Sequence, residues 1–295
     1  MARLTSFVSL PWSVKLLYGL ISDNVPINGS KRKNYVILLG ALQFVSLATF
    51  WVFDISNVNA IAGLLFLANL SGAYLDVIVD ALMVTQSRVD EEDGSEQLQT
   101  LSWSALGAGG IFGASLGGYL TENSHPRVSF LIYSLFGVVV MILGVFLKVD
   151  ETENKIGKSV FSTIKTHLVK IKEALYMPEI YQTLLFYILC GLTGPSFSEF
   201  MYFYQMEIVK FSKWEYAMLN VMGYATMFLG TLYYNMYLKD KEVRTLLRYA
   251  CWIGLIGSIT SYVFVMRWNL MLGINDTTFI ILTDVVTGTL FLAFN

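Results

Sequence analysis

The chain has 295 residues, of which 55% are hydrophobic and only 14% are charged, and its mean hydropathy is +0.57. A soluble globular domain carries about a quarter charged residues, so this composition excludes an ordinary soluble protein and indicates an integral membrane protein. The formal net charge of -2, without a basic stripe interleaved with aromatic residues, argues against a nucleic-acid partner. Two cysteines, Cys190 and Cys251, lie in apolar segments and predict neither a disulfide framework nor a metal site.

Apolar runs long enough to cross a bilayer recur along the whole chain. The sequence predicts nine spans, at about residues 6–23, 35–54, 58–85, 98–120, 128–147, 180–205, 215–238, 245–266 and 277–295. The long connection at 148–178 carries apolar residues at three- and four-residue spacing, which predicts an amphipathic helix on the cytoplasmic surface. We therefore expect an N-terminal bundle at 1–147, a cytoplasmic linker at 148–178 and a C-terminal bundle at 179–295.

Acidic side chains interrupt the apolar spans at a few positions. Asp76 and Asp80 lie four residues apart in the third span, so they share one helix face. An ionised carboxylate near the bilayer centre costs at least roughly 2.5 kcal/mol, and it therefore faces a polar cavity or a partner. Glu199 and Asp284 lie in the sixth and ninth spans and follow the same logic. For each acid, the alternative is a purely structural pair with a neighbouring cation.

One cation and several glycines within the spans are also informative. Lys15 lies in the first span, where pairing with a carboxylate and contact with an anionic ligand are equally consistent with the sequence. Glycines recur every fourth residue at 109, 113 and 117 in the fourth span, with Gly110 and Gly118 alongside, which predicts a face for close helix packing. Gly194 and Pro195 predict a break in the sixth span.

Several motifs together resemble the folate–biopterin transporter family, a branch of the major facilitator superfamily. The motifs are Pro11-Trp12-Ser-Val-Lys15, Tyr18-Gly19-Leu-Ile-Ser22-Asp23, Lys31-Arg32-Lys33, Asp76-Val-Ile-Val-Asp80-Ala81 and Leu98-Gln99-Thr-Leu-Ser-Trp103. The resemblance implies an all-α polytopic membrane protein with a major facilitator-type helical bundle. Against the family's plan of twelve helices, the chain has about nine, and we expect the first helix and the last two to be absent.

The resemblance implies a secondary active transporter that moves folates or related pteridines by alternating access and is driven by protons. It assigns substrate and proton binding to the intramembrane charged residues, which are Asp76, Asp80, Glu199, Asp284 and Lys15. It assigns gating to the loop after the first span, at Gly19, Asp23, Lys31 and Arg32. The implied partners are the small-molecule substrate, protons and the lipid bilayer. No enzymatic activity, cofactor or metal is expected.

Three alternatives to this reading stay open. The substrate could be another organic anion, or the chain could be a truncated paralogue that does not transport. The expected location is the plasma membrane, with an organellar membrane as the alternative. An enzyme is disfavoured, because the two histidines, His125 and His167, both lie in predicted loops.

The distribution of cations predicts the orientation of the chain in its membrane. When alternate loops are assigned to opposite sides, 14 of the 20 Lys and Arg residues fall on one side and five on the other. The positive-inside rule places the richer side, with loops 24–34, 86–97, 148–178 and 239–248, in the cytoplasm. We expect a cysteine introduced at Ser30 or Ser159 to resist impermeant labelling in intact cells. Ready labelling there would reverse the orientation.

Overall fold

The computed structural model describes residues 2–88, 94–148, 160–193 and 197–294, and its regular secondary structure is helical. The helices, in chain order, are α1 (Ala2–Ser13), α2 (Lys15–Asn24), α3 (Lys33–Val52), α4 (Val58–Gln86), α5 (Gly94–Asn123), α6 (Pro126–Phe146), α7 (Val160–Leu175), α8 (Pro178–Thr193), α9 (Ser198–Phe203), α10 (Lys213–Tyr233), α11 (Val243–Val265), α12 (Trp268–Met271) and α13 (Asp276–Phe294). Two π-helical turns, Tyr204–Val209 and Tyr234–Leu238, follow α9 and α10. The predicted all-α polytopic architecture is confirmed.

Fewer of the described helices meet the length and hydropathy criteria for a membrane span than the nine predicted. Among the described residues, α3, α4, α6 and α11 are long and apolar enough to cross a membrane by themselves. Segments Leu4–Ser13 and Lys15–Asn24 meet the same criteria only as a pair, which is bent by 43°. The count is therefore four, or five if the bent pair is one span, and the count of nine stays a prediction.

The predicted interruption of the sixth span coincides with a boundary between two helices. α8 ends at Thr193 and α9 begins at Ser198, while Gly194 and Pro195 lie outside the described residues. The amphipathic helix expected within 148–178 corresponds to α7, which contacts α2. Residues 149–159, which complete the linker on its N-terminal side, also lie outside the described ranges.

Residues 1–84 and 130–199 form one compact unit, whose core holds three tyrosines. Tyr18 of α2 stacks on Tyr74 of α4 with ring centroids 4.7 Å apart, and Tyr35 of α3 lies 5.4 Å from the same ring. Ser71 of α4 donates a hydrogen bond of 2.6 Å to the carbonyl of Leu39 in α3. These contacts tie α2, α3 and α4 together and fix the rotation of α4.

Helices α3 and α6 approach closely at a pair of glycines. A Cβ atom added to Gly137 would lie 2.8 Å from the carbonyl oxygen of Gly40 and 2.8 Å from the backbone nitrogen of Phe44. Both atoms belong to the backbone, which has no rotamer with which to move aside. Small residues allow such close backbone approach in membranes, where packing rather than water drives helix association.

Residues 85–129 and 200–295 form the second compact unit, in which α5 packs along α10. A Cβ added to Gly107 would meet Phe228, one added to Gly110 would collide with the ring of Tyr224, and one added to Gly118 would meet Ala217. Gly109 and Gly113, by contrast, have no atom within 4 Å of an added Cβ. The face of α5 that packs on α10 therefore lies at 107, 110 and 118, so the prediction of close packing is confirmed at Gly110 and Gly118 but not at Gly109 and Gly113.

Tyr204 anchors the core of this second unit. Its ring packs edge-on against Phe264 of α11, with centroids 5.7 Å apart, and its hydroxyl donates to the carbonyl of Val265 at 2.9 Å.

Asp276 closes the connection between α11 and α13. Its carboxylate lies 2.9 Å from Arg267 and accepts a hydrogen bond of 2.9 Å from fully buried Asn269. A buried polar group is costly unless it is paired, so this network defines how α13 begins.

The sequence-based domain boundaries and the compact units differ in where they place α5. The predicted N-terminal bundle, 1–147, includes α5, whereas α5 contacts α10 in the second unit. The bundle boundaries at 1–147, 148–178 and 179–295 stay a prediction.

We expect Gly137→Ala to destabilise the protein by roughly 1–3 kcal/mol, the usual cost of overpacking a well-packed contact. The new methyl group would overlap backbone atoms of α3, so the two helices must separate. Gly63→Ala in α4 is the matched control, because an added Cβ there meets nothing within 4 Å. Thermal unfolding of the two variants in detergent tests the contact, and equal midpoints would contradict it.

Candidate functional site

The first predicted span is a broken helix rather than a continuous one. Pro11 removes a backbone donor within α1, and the helix ends at Ser13. Val14 links the two pieces: its N–H donates to the carbonyl of Pro11 at 3.4 Å, and its carbonyl accepts from Leu17 at 3.0 Å. Helices that break within a membrane expose backbone groups and often mark binding sites. Lys15 is the first residue after the break.

Lys15 lies between a carboxylate and an aromatic ring. Its ammonium donates a hydrogen bond to Oδ2 of Asp76 in α4 and forms an ion pair with it. The same nitrogen lies 4.8 Å from the centre of the Trp12 ring, within the range of a cation–π interaction. The structure thus brings together two of the predicted site residues, Lys15 and Asp76.

Asn69 holds the Trp12 ring in place. The indole Nε1–H of Trp12 donates to Oδ1 of Asn69 at 3.1 Å, and Nδ2 of Asn69 donates to the carbonyl of Leu65 at 3.0 Å. Residue 69 precedes Asp76 by seven positions, so both side chains lie on the same face of α4. The ring edge also lies 3.8 Å from the position that a Cβ would take at Gly72.

The charged pair is accessible. The side chain of Lys15 is 37% exposed and that of Asp76 is 41% exposed. In a spanning segment, ionisable groups with this much free surface face a water-filled cavity or a ligand rather than hydrocarbon. A cation, an anion and a planar aromatic ring therefore form a single accessible cluster, defined here as Trp12, Lys15, Asn69 and Asp76. Such a cluster suits a small planar ligand with both donors and acceptors.

The predicted gating loop is folded by its own hydrogen bonds. Nη2 of Arg32 lies 2.5 Å from Oδ1 of Asp23, and Nη1 of Arg32 donates to the hydroxyl of Ser22 at 3.0 Å. Between these residues the chain reverses at Asn28 and Gly29, which have φ angles of 46° and 81° and link Ile27 to Ser30 by paired backbone hydrogen bonds. Two positive φ angles define a type I′ turn, which asparagine followed by glycine favours.

The other two gating residues occupy different environments. Gly19 faces α4, where an added Cβ would lie 3.7 Å from Val77, so the two helices are in ordinary contact there. Lys31 is half-buried beside Arg32. The side chain of Arg32 is only 15% exposed, which is unusual for a cation in a loop and reflects its pairing with Asp23.

Of the remaining predicted site residues, Asp80 lies near enough to Asp76 and Lys15 to interact with both charges. Asp80 is exposed one turn after Asp76 on the same helix, and Glu199 is exposed in the first turn of α9. Asp284 lies on α13, and its side chain is outside the described part of the structure. That Asp76, Glu199 and Asp284 line one cavity stays a prediction.

Asn69 is the site residue that the sequence reasoning missed, and the site role of Trp12 was missed with it. Asn69 is a polar residue inside an apolar span, seven positions before Asp76, and that spacing was visible in the sequence. The three-residue spacing of Trp12 and Lys15 was visible as well, but their contacts with Asn69 and Asp76 of α4 were not. A continuous helix has residues three apart as neighbours, but it does not fix where their side chains meet a second helix.

Comparison with known proteins finds relatives that are named as transporters. The sequence model of the BT1 family matches residues 1–294. The chain is 25% identical to the probable folate-biopterin transporter 4 of Arabidopsis thaliana, over 94% of this chain and 68% of that protein. It is 28% identical to the folate-biopterin transporter of Synechocystis sp., over 98% and 58%, and 27% identical to folate transporter 1 of Plasmodium falciparum, over 95% and 54%. The chain thus spans about half to two thirds of the length of these relatives.

We expect the Lys15–Asp76 pair to show energetic coupling in a double-mutant cycle. Lys15→Met leaves Asp76 without its cation, and Asp76→Asn leaves Lys15 without its anion, so each single variant is expected to lose stability. The double variant should lose less than the sum of the two, with a coupling of about 1 kcal/mol for a partly exposed pair. Unfolding midpoints in detergent measure it, and strict additivity would show that the contact contributes nothing.

Proposed function

Because the chain belongs to the BT1 family, we propose that it is a secondary active transporter of folates or related pteridines. The names of its relatives support the substrate class, since those named here are folate or folate-biopterin transporters. The single observation that carries the proposal is the ion pair between Lys15 and Asp76, which lies beside a helix break and is partly exposed. Ionisable residues in a membrane span are rare and commonly mark the path of a substrate or an ion.

Asp76 is the proposed contact for the pteridine. A carboxylate accepts two hydrogen bonds from the amino-pyrimidine edge of a pterin, and such charge-assisted bonds are about twice as strong as neutral ones. Lys15 is proposed as a second substrate contact, whose ammonium supplies hydrogen-bond donors beside that carboxylate. Glu199, Asp80 and Asp284 are proposed as further binding or proton-transfer groups on their own helices.

Protons are the proposed source of driving force. A carboxylate takes up and releases a proton during a transport cycle, whereas an amide in the same position does not. Asp76 has the additional property that protonation removes its attraction for Lys15. Proton binding at Asp76 and the freedom of the Lys15 ammonium are therefore linked, which is the physical requirement for coupling substrate movement to a proton gradient.

The loop from Asp23 to Arg32 is proposed as the cytoplasmic gate in an alternating-access cycle. A gate must be rigid enough to transmit motion between helices. The Asp23–Arg32 pair and the Asn28–Gly29 turn provide that rigidity, and Gly19 keeps the preceding helix in contact with α4. The membrane is proposed to be the plasma membrane or that of an organelle, and two relatives are named as chloroplastic proteins.

We expect Asp76→Asn to abolish or strongly reduce uptake of labelled folate and biopterin while leaving the protein folded. The stability lost with the ion pair is expected to be about 1 kcal/mol, since the pair is partly exposed, and a loss of that size leaves the protein folded. Asp240→Asn, which makes the same chemical change in an exposed turn, is the matched control and should transport normally. Monodispersity after detergent extraction reports folding in both variants.

Counterflow then separates substrate binding from proton coupling, because it requires binding but no driving gradient. Loss of counterflow in Asp76→Asn assigns the residue to the substrate. Retained counterflow with lost accumulation assigns it to the proton. Unchanged accumulation would remove Asp76 from the mechanism and leave the ion pair as a structural contact.

A further inference from the structure

Trp12 and Asn69 have no role in the function proposed so far, yet they complete the cluster around Lys15 and Asp76. The indole ring is 44% exposed, so much of its surface is available to a ligand. Its orientation is fixed at one end by the hydrogen bond to Asn69 and over its face by the Lys15 ammonium. Filling space would not require these two contacts, so the fixed orientation of the ring indicates a role in binding.

We propose that Trp12, Lys15, Asn69 and Asp76 form a subsite for the pteridine ring itself, and not for the carboxylate tail of a folate. The inference rests on the proposed function and specifies which part of the substrate occupies this site. Asp76 accepts from the amino-pyrimidine edge, Lys15 donates to the neighbouring carbonyl and ring nitrogen, and Trp12 stacks on the ring. Asn69 is a positioning residue that acts through Trp12.

The compactness of the cluster is the first argument for the ring. Lys15 and Asp76 are in direct contact, and Trp12 lies 4.8 Å from the same ammonium. A ligand that engages both charges must therefore carry donors and acceptors on neighbouring atoms. A pterin has this arrangement, because its amino group and ring N–H stand beside its carbonyl oxygen. The ionised carboxylates of a folate's glutamate tail are acceptors only, and an aminobenzoyl group separates the tail from the pteridine ring.

The second argument is that a bound ring leaves neither charged group without a partner. When a ring enters between Lys15 and Asp76, Asp76 exchanges one cationic donor for two neutral ones. Lys15 exchanges the carboxylate for a carbonyl oxygen and retains the π face of Trp12, so it is not left unpaired in an apolar span. A tail carboxylate at Lys15 would instead place a second anion beside Asp76 and Asp80, and like charges at this distance repel.

The planar geometry of Trp12 is the third argument. Aromatic side chains bind heterocyclic bases by stacking, and their removal typically weakens binding by about tenfold per stacked ring. An anion site needs no such ring. The hydrogen bond between the indole and Asn69 matters for stacking, because it fixes the plane in which a second ring can lie.

Three ligands distinguish a ring subsite from a tail subsite: folate, biopterin, which has the ring without a carboxylate tail, and p-aminobenzoylglutamate, which has the tail without the ring. Competition by each is measured against labelled folate, with the wild-type protein in membranes. Trp12→Leu is expected to weaken folate and biopterin in parallel by about tenfold, and to leave p-aminobenzoylglutamate unchanged. Trp51→Leu is the matched control, because Trp51 is equally exposed, at 44%, near the end of α3.

Two further variants keep the test decisive if Trp12→Leu folds poorly. Trp12→Phe retains a stacking ring without the indole N–H and should recover most of the affinity for both pteridines. Asn69→Leu leaves the ring but frees its orientation, and it should weaken both pteridines by less than Trp12→Leu does. Loss of folate binding with intact biopterin binding in these variants would overturn the ring subsite in favour of a tail subsite.

Failure of this inference differs from failure of the proposed function. If the wild-type protein binds neither folate nor biopterin, the proposed substrate class is wrong, and the ring subsite falls with it. Suppose instead that the wild type binds both ligands, and that Trp12→Leu and Trp12→Phe each bind them as tightly as the wild type does. The substrate class then stands, and only the ring subsite is overturned.

Discussion

The pairing of Lys15 with Asp76 is the interaction around which the described N-terminal helices are arranged. Either charge alone is costly in an apolar span, so placing α2 and α4 where the two groups meet is favoured. The bend at Val14 makes this meeting feasible, because it turns Lys15 away from the axis of α1. The same bend leaves Trp12 on the first piece, facing Asn69 and Gly72 of α4. One electrostatic requirement therefore organises the break, the aromatic ring and the polar face of α4.

Close backbone contacts outside the cluster stabilise this arrangement of helices. α3 meets α6 at Gly40 and Gly137, where no side chain larger than hydrogen fits without a shift. The tyrosine stack between α2, α3 and α4 then sets the rotation of α4, and with it the direction of Asp76. In a membrane these packing contacts carry much of the stability, since lipid is as apolar as the side chains and burial from water contributes little. Close packing at small residues elsewhere thus supplies the stability that the placement of a few charges within the spans requires.

The sequence identified several residues of the site, but not the contacts between them. Asp76, Asp80 and Lys15 were recognisable because charged residues are rare in apolar spans, and Asp23 and Arg32 because they belong to motifs that resemble those of the transporter family. Asn69 was overlooked, although its spacing from Asp76 placed it on the same face. The glycine face of α5 was predicted at 109, 113 and 117, which repeat every fourth residue, with 110 and 118 alongside, whereas α10 packs against 107, 110 and 118. Repetition identifies a candidate face, but the partner helix decides which face is used.

The sequence by itself determined that the chain is a helical membrane protein, where its charged residues lie along the spans, and which family it belongs to. These properties follow from composition and from local motifs, which are readable without a partner segment. Only the tertiary structure decided that the first span is broken at Val14, that Lys15 pairs with Asp76 across 61 positions of sequence, and that Trp12 is held by Asn69. The reason is physical: a helix fixes the spacing of its own side chains, but the contact between two helices depends on their crossing and rotation, which are set by packing along their whole length.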